Sequence, residues 1–350
     1  MKIENHYLKL SLITLLMCFA FCLFGTLNLS FAQTQQKVWK LKIQAFTVPG
    51  KFECQWVVPF KFNELIKKHT GGRVDCSLHP AGEMVGAREI WTASSTGTID
   101  GGVTLDIYQS GTHPEFCFDV GAIWSIDEFF KVMHNGALDI MNQQTIPEGV
   151  RIVGYFPLMN YYSVSMKNQH VKQLEDLKGK KIRGMGGAAN LFLEKANAGI
   201  VTLPMSEVAP ALQTGVVDGI HTGMAGLYAM NLWDVAPYFT SARCGNFGCF
   251  ILLNENIYQG FPADVKKGIE EAQKELEGWY VEWDANFWKE IKDDVEVKGI
   301  KWLDLSKEES HRWRVLLTQV SYSWVMQRKP KIGKELFDIV EKTTGRSIEK

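Results

Sequence analysis

Two segments of the chain carry the same local design, and any fold must accommodate both. Residues 94–101 read Ser-Ser-Thr-Gly-Thr-Ile-Asp-Gly; 118 positions later, residues 212–219 read Leu-Gln-Thr-Gly-Val-Val-Asp-Gly. Each follows a short run of helical character, Glu89 to Ser94 and Glu207 to Gln213. Gly97 and Gly215 suit the left-handed residue that ends a helix, where a Cβ would be strained. The β-branched pairs Thr98-Ile99 and Val216-Val217 then predict a strand that runs to Asp-Gly, a turn signal. A helix–glycine–strand unit used twice implies two α/β halves built alike, although so common a unit also recurs by chance.

Around these units the pattern alternates. Strands are predicted at Leu41–Phe46, Arg73–Leu78, Arg151–Tyr155, Ser163–Met166 and Lys181–Arg183, and a helix over Glu53–His69 with Trp56, Phe60 and Leu65 inward. Such alternation gives parallel or mixed sheets covered by helices. At 350 residues the chain exceeds what one hydrophobic core organises, so two domains are expected. Beyond Pro262 the spacing predicts a helix from Asp264 to near Asp294, about 45 Å long at its fixed rise per residue. Leu276, Trp279, Trp283 and Phe287 recur on one of its faces. So long an element reads as a brace between domains. Helices over Lys307–Gln327 and Lys331–Thr343 complete the chain.

The chain is 46% hydrophobic and 22% charged, with a net charge of -1, which excludes a largely disordered chain and a dedicated nucleic-acid binder. Lys2 and Lys9 precede an uncharged run, Leu10 to Phe24, and Ser30-Phe31-Ala32 supplies small residues at a cleavage site. Residues 1–32 therefore read as a signal peptide cleaved after Ala32, placing the product in the periplasm. An uncleaved anchor is the alternative. Five cysteines remain: Cys54, Cys76, Cys117, Cys244 and Cys249. A strand over Asn246–Leu253 would hold Cys244 and Cys249 too far apart to bridge, so buried thiols are expected.

Catalytic signatures are missing. There is no Gly-x-Ser-x-Gly elbow, no His-Glu-x-x-His, no Cys-x-x-Cys and no phosphate loop, and the eight histidines form no zinc-ligand spacing. No cofactor or metal is expected. One constellation does carry chemistry. Lys178 to Arg183 reads as a turn entering a strand, followed by Gly184, Gly186 and Gly187 and then a helix from about Ala188. A strand-end guanidinium beside a helix N-terminus favours a carboxylate or phosphate. A plain surface arginine is the competing reading.

Further motifs sharpen this. Residues 174–183 (LEDLKGKKIR), Met205-Ser206-Glu207 and residues 211–219 (ALQTGVVDG) strongly resemble the extracytoplasmic solute receptors of tripartite ATP-independent periplasmic (TRAP) transporters. Residues 80–86 (PAGEMVG) and 97–101 (GTIDG) look like that family's first-domain motifs. The resemblance covers essentially the whole mature chain. It implies an α/β, two-lobe periplasmic-binding-protein fold, type II-like, with hinge strands and a long bracing helix, expected as lobe I over 33–158 plus 248–290 and lobe II over 159–247 plus 291–350. It implies a small organic acid as ligand and TRAP membrane permease subunits as partners, driven by a sodium gradient. In that family the arginine of Lys-Ile-Arg pairs with the ligand carboxylate, and the matching residue is Arg183.

Departures from the family pattern bear on the ligand. Many members carry Gln-Glu-Asn-Pro after Asp-Gly; here the chain reads Ile220-His221-Thr222-Gly223, with Thr222 where the Asn would stand. Members that hold keto acids through a metal have Glu-Trp there, so His221-Thr222 argues against a bridging cation. With one arginine in the motif set, a monocarboxylate is expected, because a second buried charge would lack a partner. Tyr161, Tyr162, Phe247 and Trp124 are candidate aromatic walls, with core packing as the alternative for each. Glu83 reads as an acceptor for a ligand hydroxyl or as a helix cap, with Arg88 balancing it outside the cleft. His221 reads equally as a cleft donor or a structural histidine. A monomer is expected. The rival functions are a receptor for an ATP-driven importer and, more remotely, a secreted enzyme on the same frame using Glu83 and His221.

Overall fold

A computed structural model describes residues 37–159, 162–203 and 207–348, and its compact unit spans Lys40–Lys350. The repeated segments are superposable in their bonding. Helices Ile90–Thr96 and Val208–Thr214 end on Gly97 (φ 74°) and Gly215 (φ 77°), both left-handed. Behind each cap the same two amides turn back, Gly97 to Ser94 and Ile99 to Ala93, Gly215 to Leu212 and Val217 to Ala211. The strand, however, starts at the Asp-Gly instead of ending there: β3 is Gly101–Leu105 and β8 is Gly219–His221. The aspartates explain the shift. The Asp100 carboxylate accepts the Lys42 amide at 2.7 Å and that of Asp218 accepts the Lys181 amide at 2.8 Å, so each carboxylate fastens the neighbouring strand. Thr98-Ile99 and Val216-Val217 are the crossing, not the strand.

Two sheets result. In chain order the remaining strands are β1 (Trp39–Gln44), β2 (Val74–His79), β4 (Val150–Met159), β5 (Ser163–Met166), β6 (Lys181–Arg183), β7 (Gly199–Val201), β9 (Tyr238–Ser241), β10 (Asn246–Asn254) and β11 (Lys301–Asp304). The first sheet has the order β2-β1-β3-β10-β4 and the second β11-β9-β5-β8-β6-β7. β1 and β3 are parallel, as are β6, β7 and β8. The sequence-predicted strands at 163–166 and 181–183 are found as expected, whereas β4 runs four residues beyond Tyr155.

That extension makes the hinge. β4 of the first sheet leads into β5 of the second, and β9 of the second leads into β10 of the first. The two crossings lie side by side, since Met159 pairs with Asn246 and Ser163 with Ser241 in antiparallel registers. Buried polar groups tie this ribbon to the first lobe: the Gly248 amide donates to the carboxylate of Asp106, just after β3, at 3.0 Å, and the Asn246 side-chain amide donates to Asp119, at the end of the turn Pro114–Asp119, at 2.8 Å.

The long helix runs Ala263–Val297, a little beyond both predicted ends. Its first half packs on helix Cys54–His69 and on β4, with the Gln273 amide both donating to the Tyr155 carbonyl at 3.0 Å and accepting its N–H at 3.2 Å. Its second half places Phe287, Ile291 and Val295 in the core of the second sheet beside Leu212, Ile220 and Phe239. One rigid element thus enters both cores. Helix Cys54–His69 buries Val58, Phe62, Leu65 and Ile66, and Phe60, expected inward, is 51% exposed. C-terminal residues were expected with the second lobe. Helix Lys307–Arg328 instead touches both the turn Pro114–Asp119 and helix Gly187–Lys195, while helix Pro330–Thr344 packs on that same turn and on helix Ile126–Val132, on the first sheet's side. All five described cysteines are free thiols, and none of the described helices is long and apolar enough to cross a membrane.

Candidate functional site

Because parallel strands point their carboxyl ends the same way, the loops that follow them gather at one edge, where open α/β sheets place ligands. Here both sheets face one cavity of about 700 Å³, within the range of small-molecule sites. The first sheet supplies Phe46 to Val48 after β1 and Leu105, Ile107 and Tyr108 after β3. From the second come Arg183 and Met185 at the end of β6, Leu203 after β7 and Thr222 after β8. Glu53 and Gln55, at the start of helix Cys54–His69, and Arg88, from the loop after β2, also line it.

Arg183 is half-buried, and its Nε and Nη2 both donate to the Leu203 carbonyl at 3.3 Å, which fixes the plane of the guanidinium. Its charge is felt on two sides. Burial raises the Tyr108 phenol above its usual pKa, while Arg183 and Arg88 pull it back down. Burial lowers the His221 imidazole to about 3, and Arg183 adds to that, so the ring is neutral at physiological pH. The glycine turn behaves differently from the sequence expectation. Gly186, the residue before helix Gly187–Lys195, gives its amide to the Asn190 side chain at 2.9 Å, and residues 186–189 do not line the cavity. A Cβ on Gly187 would lie 2.2 Å from the Ser110 hydroxyl, so this end of the helix is pressed against the first lobe.

Of the residues singled out from sequence, Arg183 and Thr222 line the cavity. Thr222 is buried, donates its amide to the Ser163 carbonyl at 3.0 Å and turns its hydroxyl to the Gly223 carbonyl at 3.3 Å. Tyr162, Phe247 and His221 are brought together, but beneath the cavity. All three are fully buried, with Tyr162 stacked on Phe247 at 4.9 Å between centroids and tilted against His221 at 4.8 Å. They pack at the hinge, where Tyr162, just before β5, sits against both His221 of β8 and Phe247 of β10. Glu83 is exposed and pairs with His79 at 2.7 Å, away from the lining. Trp124 lies in a separate surface depression between the guanidinium groups of Arg314 and Arg346, at 4.6 and 3.8 Å from its ring. Tyr161 lies outside the described residues.

Three lining groups were not read from sequence. Arg88, expected outside, is an exposed cation on the cavity wall. Tyr108 follows the strand of the first repeated unit as Thr222 follows that of the second, a positional cue available in the repeat itself. Glu53 gave no motif signal; its side chain is 5% exposed, its Oε1 has no partner among the described residues, and burial pushes its carboxyl up to about 8. No cluster of three or more potential metal-ligating side chains occurs among the described residues.

A cavity between two like lobes, with one oriented guanidinium on an otherwise mainly apolar wall, can hold a small anion and shield it from water. The family model described as "Bacterial extracellular solute-binding protein, family 7" matches residues 58–326. The C4-dicarboxylate-binding periplasmic protein DctP of Rhodobacter capsulatus is 24% identical over 296 residues, covering 81% of this chain and 85% of that protein. Among solved structures, a TRAP periplasmic solute binding protein from Rhodoferax ferrireducens with bound malonate is similar with a TM-score of 0.78 at 19% identity, covering 87% of this chain and 98% of the other. DctP7, a Bordetella pertussis extracytoplasmic solute receptor binding pyroglutamic acid, gives a TM-score of 0.74 at 19% identity, covering 86% and 99%.

Proposed function

This chain belongs to family 7 of the bacterial extracellular solute-binding proteins, the receptors of TRAP transporters, and from that premise we propose that it captures a small monocarboxylate in the periplasm and passes it unchanged to a sodium-driven TRAP permease. The family consists of binding proteins, not catalysts. The observation that carries the ligand reading is Arg183: a half-buried guanidinium, braced on the Leu203 carbonyl, on the wall of the inter-lobe cavity. A guanidinium presents its donors as a fork that matches a carboxylate in two parallel hydrogen bonds. Arg88 adds a second positive charge, but an exposed one, which does not neutralise a second carboxylate buried deeper. Phe46, Leu105, Ile107 and Met185 favour an apolar or aromatic body on the acid. Secretion with cleavage after Ala32 is part of the same proposal.

Thermal-shift screening against carboxylic acids, followed by calorimetry of the best binder, tests it. A ligand at a hundred times its dissociation constant adds about 2.7 kcal/mol to the native state. We expect Arg183→Ala to weaken binding of that acid by about 2–4 kcal/mol, the scale for removing one partner of a buried charge pair. An affinity unchanged in the variant removes Arg183 from the site.

A further inference from the structure

Resting on the carboxylate reading of Arg183, we propose that Glu53 forms a second, cation-accepting subsite, and that the ligand is a carboxylate carrying a positively charged nitrogen at its other end. Glu53 belongs to the opposite lobe from Arg183, at the mouth of helix Cys54–His69, and both side chains line the same cavity. It is 5% exposed and its Oε1 meets no partner among the described residues. Buried acids are normally paired with a base or hydrogen-bonded, because a lone desolvated carboxylate is costly.

Neither cleft arginine serves as that base. Burial alone accounts for the direction in which Glu53 is displaced; an adjacent Arg183 or Arg88 would pull it the other way. Glu53 and the two arginines line the cavity from different elements: the start of helix Cys54–His69, the loop after β2 and the end of β6. Burial favours the neutral form of Glu53, so a dianionic acid would find there at most a hydrogen-bond donor and no charge to answer its second carboxylate. A plain acid would leave Glu53 buried and unpaired. An ammonium or quaternary nitrogen supplies the missing positive charge, and the edge-on aromatic pair Phe46–Tyr108, with centroids 5.5 Å apart on the same cavity, offers ring faces to a cation as well.

The experiment uses the mature protein and matched pairs of acids of the same skeleton. These are β-alanine and propionate, 4-aminobutyrate and butyrate, 5-aminovalerate and valerate, proline and cyclopentanecarboxylate, and phenylalanine and 3-phenylpropionate, with malonate as the dianion. Calorimetry should give the amino member of at least one pair an affinity about tenfold or more above its plain partner. Glu53→Gln should collapse that preference below about threefold, with an unchanged far-ultraviolet circular dichroism spectrum and a cooperative melt showing that the variant is folded. If plain acids or malonate bind as well as every amino partner, the cation subsite is wrong and the carboxylate receptor stands. A preference that survives Glu53→Gln removes Glu53 from the subsite. Should no acid in the set bind at all, the receptor reading itself falls, and the subsite with it.

Discussion

His221 shows how one residue's surroundings decide its role. Sequence alone left it between cleft donor and structural histidine, because an imidazole serves either. In the fold it is fully buried on β8, neither ring nitrogen has a partner among the described residues, and it leans on Tyr162 and Phe192. Its pKa lies near 3 in the native state against an ordinary 6.5. The unfolded chain thus takes up a proton near pH 6.5 that the native state refuses until far lower. Its contribution to stability is complete above pH 6.5 and is lost as pH falls from there toward 3. We expect His221→Leu to melt within about 1 kcal/mol of the parent at pH 7.5, since it removes two unsatisfied nitrogens at little cost in packing. Between pH 6.5 and 4 its melting temperature should fall less steeply, by about one proton's worth of slope. Parallel melting curves across that range in circular dichroism would refute a buried neutral ring.

At the scale of elements, the repeated unit was legible because its chemistry is local. A glycine with positive φ and an aspartate that reaches a neighbouring amide need only a few residues to declare themselves. What lay beyond local reach was which strand end the Asp-Gly belongs to, since that depends on Lys42 and Lys181 in other strands. The face of helix Cys54–His69 was misjudged for a related reason. Apolar residues at 54, 56, 57, 58, 60 and 62 nearly encircle it, so periodicity names no inner side; the face that carries Phe62 is the inner one because its ring packs on Gly154 of β4. The unit's two glycines have different duties, and substitution should separate them. A Cβ at Gly215 meets nothing within 4 Å and at Gly97 only the Asn254 amide at 3.7 Å, so Gly97→Ala and Gly215→Ala should each cost only the left-handed strain of roughly 1–2 kcal/mol. At Gly101 a Cβ would lie 2.1 Å from the Leu252 carbonyl, and at Gly219 2.2 Å from the Met166 sulfur and 2.8 Å from the Ser165 carbonyl. Backbone cannot yield as a side chain can, so Gly101→Ala should be the most destabilising of the four by urea denaturation. Equal losses at all four positions would contradict this division.

For the whole molecule, the question is what a ligand gains by touching both lobes. Arg183 and Thr222 were readable because both sit on family motifs within the second lobe. Glu53, Arg88 and Tyr108 were not, because they join the site only when the two sheets face each other, and no local pattern encodes that meeting. The same division makes closure work. A guest held by Arg183 alone would bind an open and a closed form equally and shift neither. One that also reaches Tyr108 and Glu53 of the first lobe binds the closed form better, and the population follows. The hinge permits this because the crossings β4–β5 and β9–β10 are the two chain connections in their ribbon, while the long helix keeps each end anchored in its own core. Small-angle scattering should therefore show the radius of gyration falling when the parent protein is saturated with its best carboxylate. With Arg183→Ala at concentrations high enough to occupy the site, the fall should be smaller, since the guest then loses the charged contact of the second lobe and keeps only neutral ones there, Met185, Leu203 and Thr222. A full contraction in that variant would mean that closure is driven from the first lobe alone, and would separate capture of the carboxylate from the motion that encloses it.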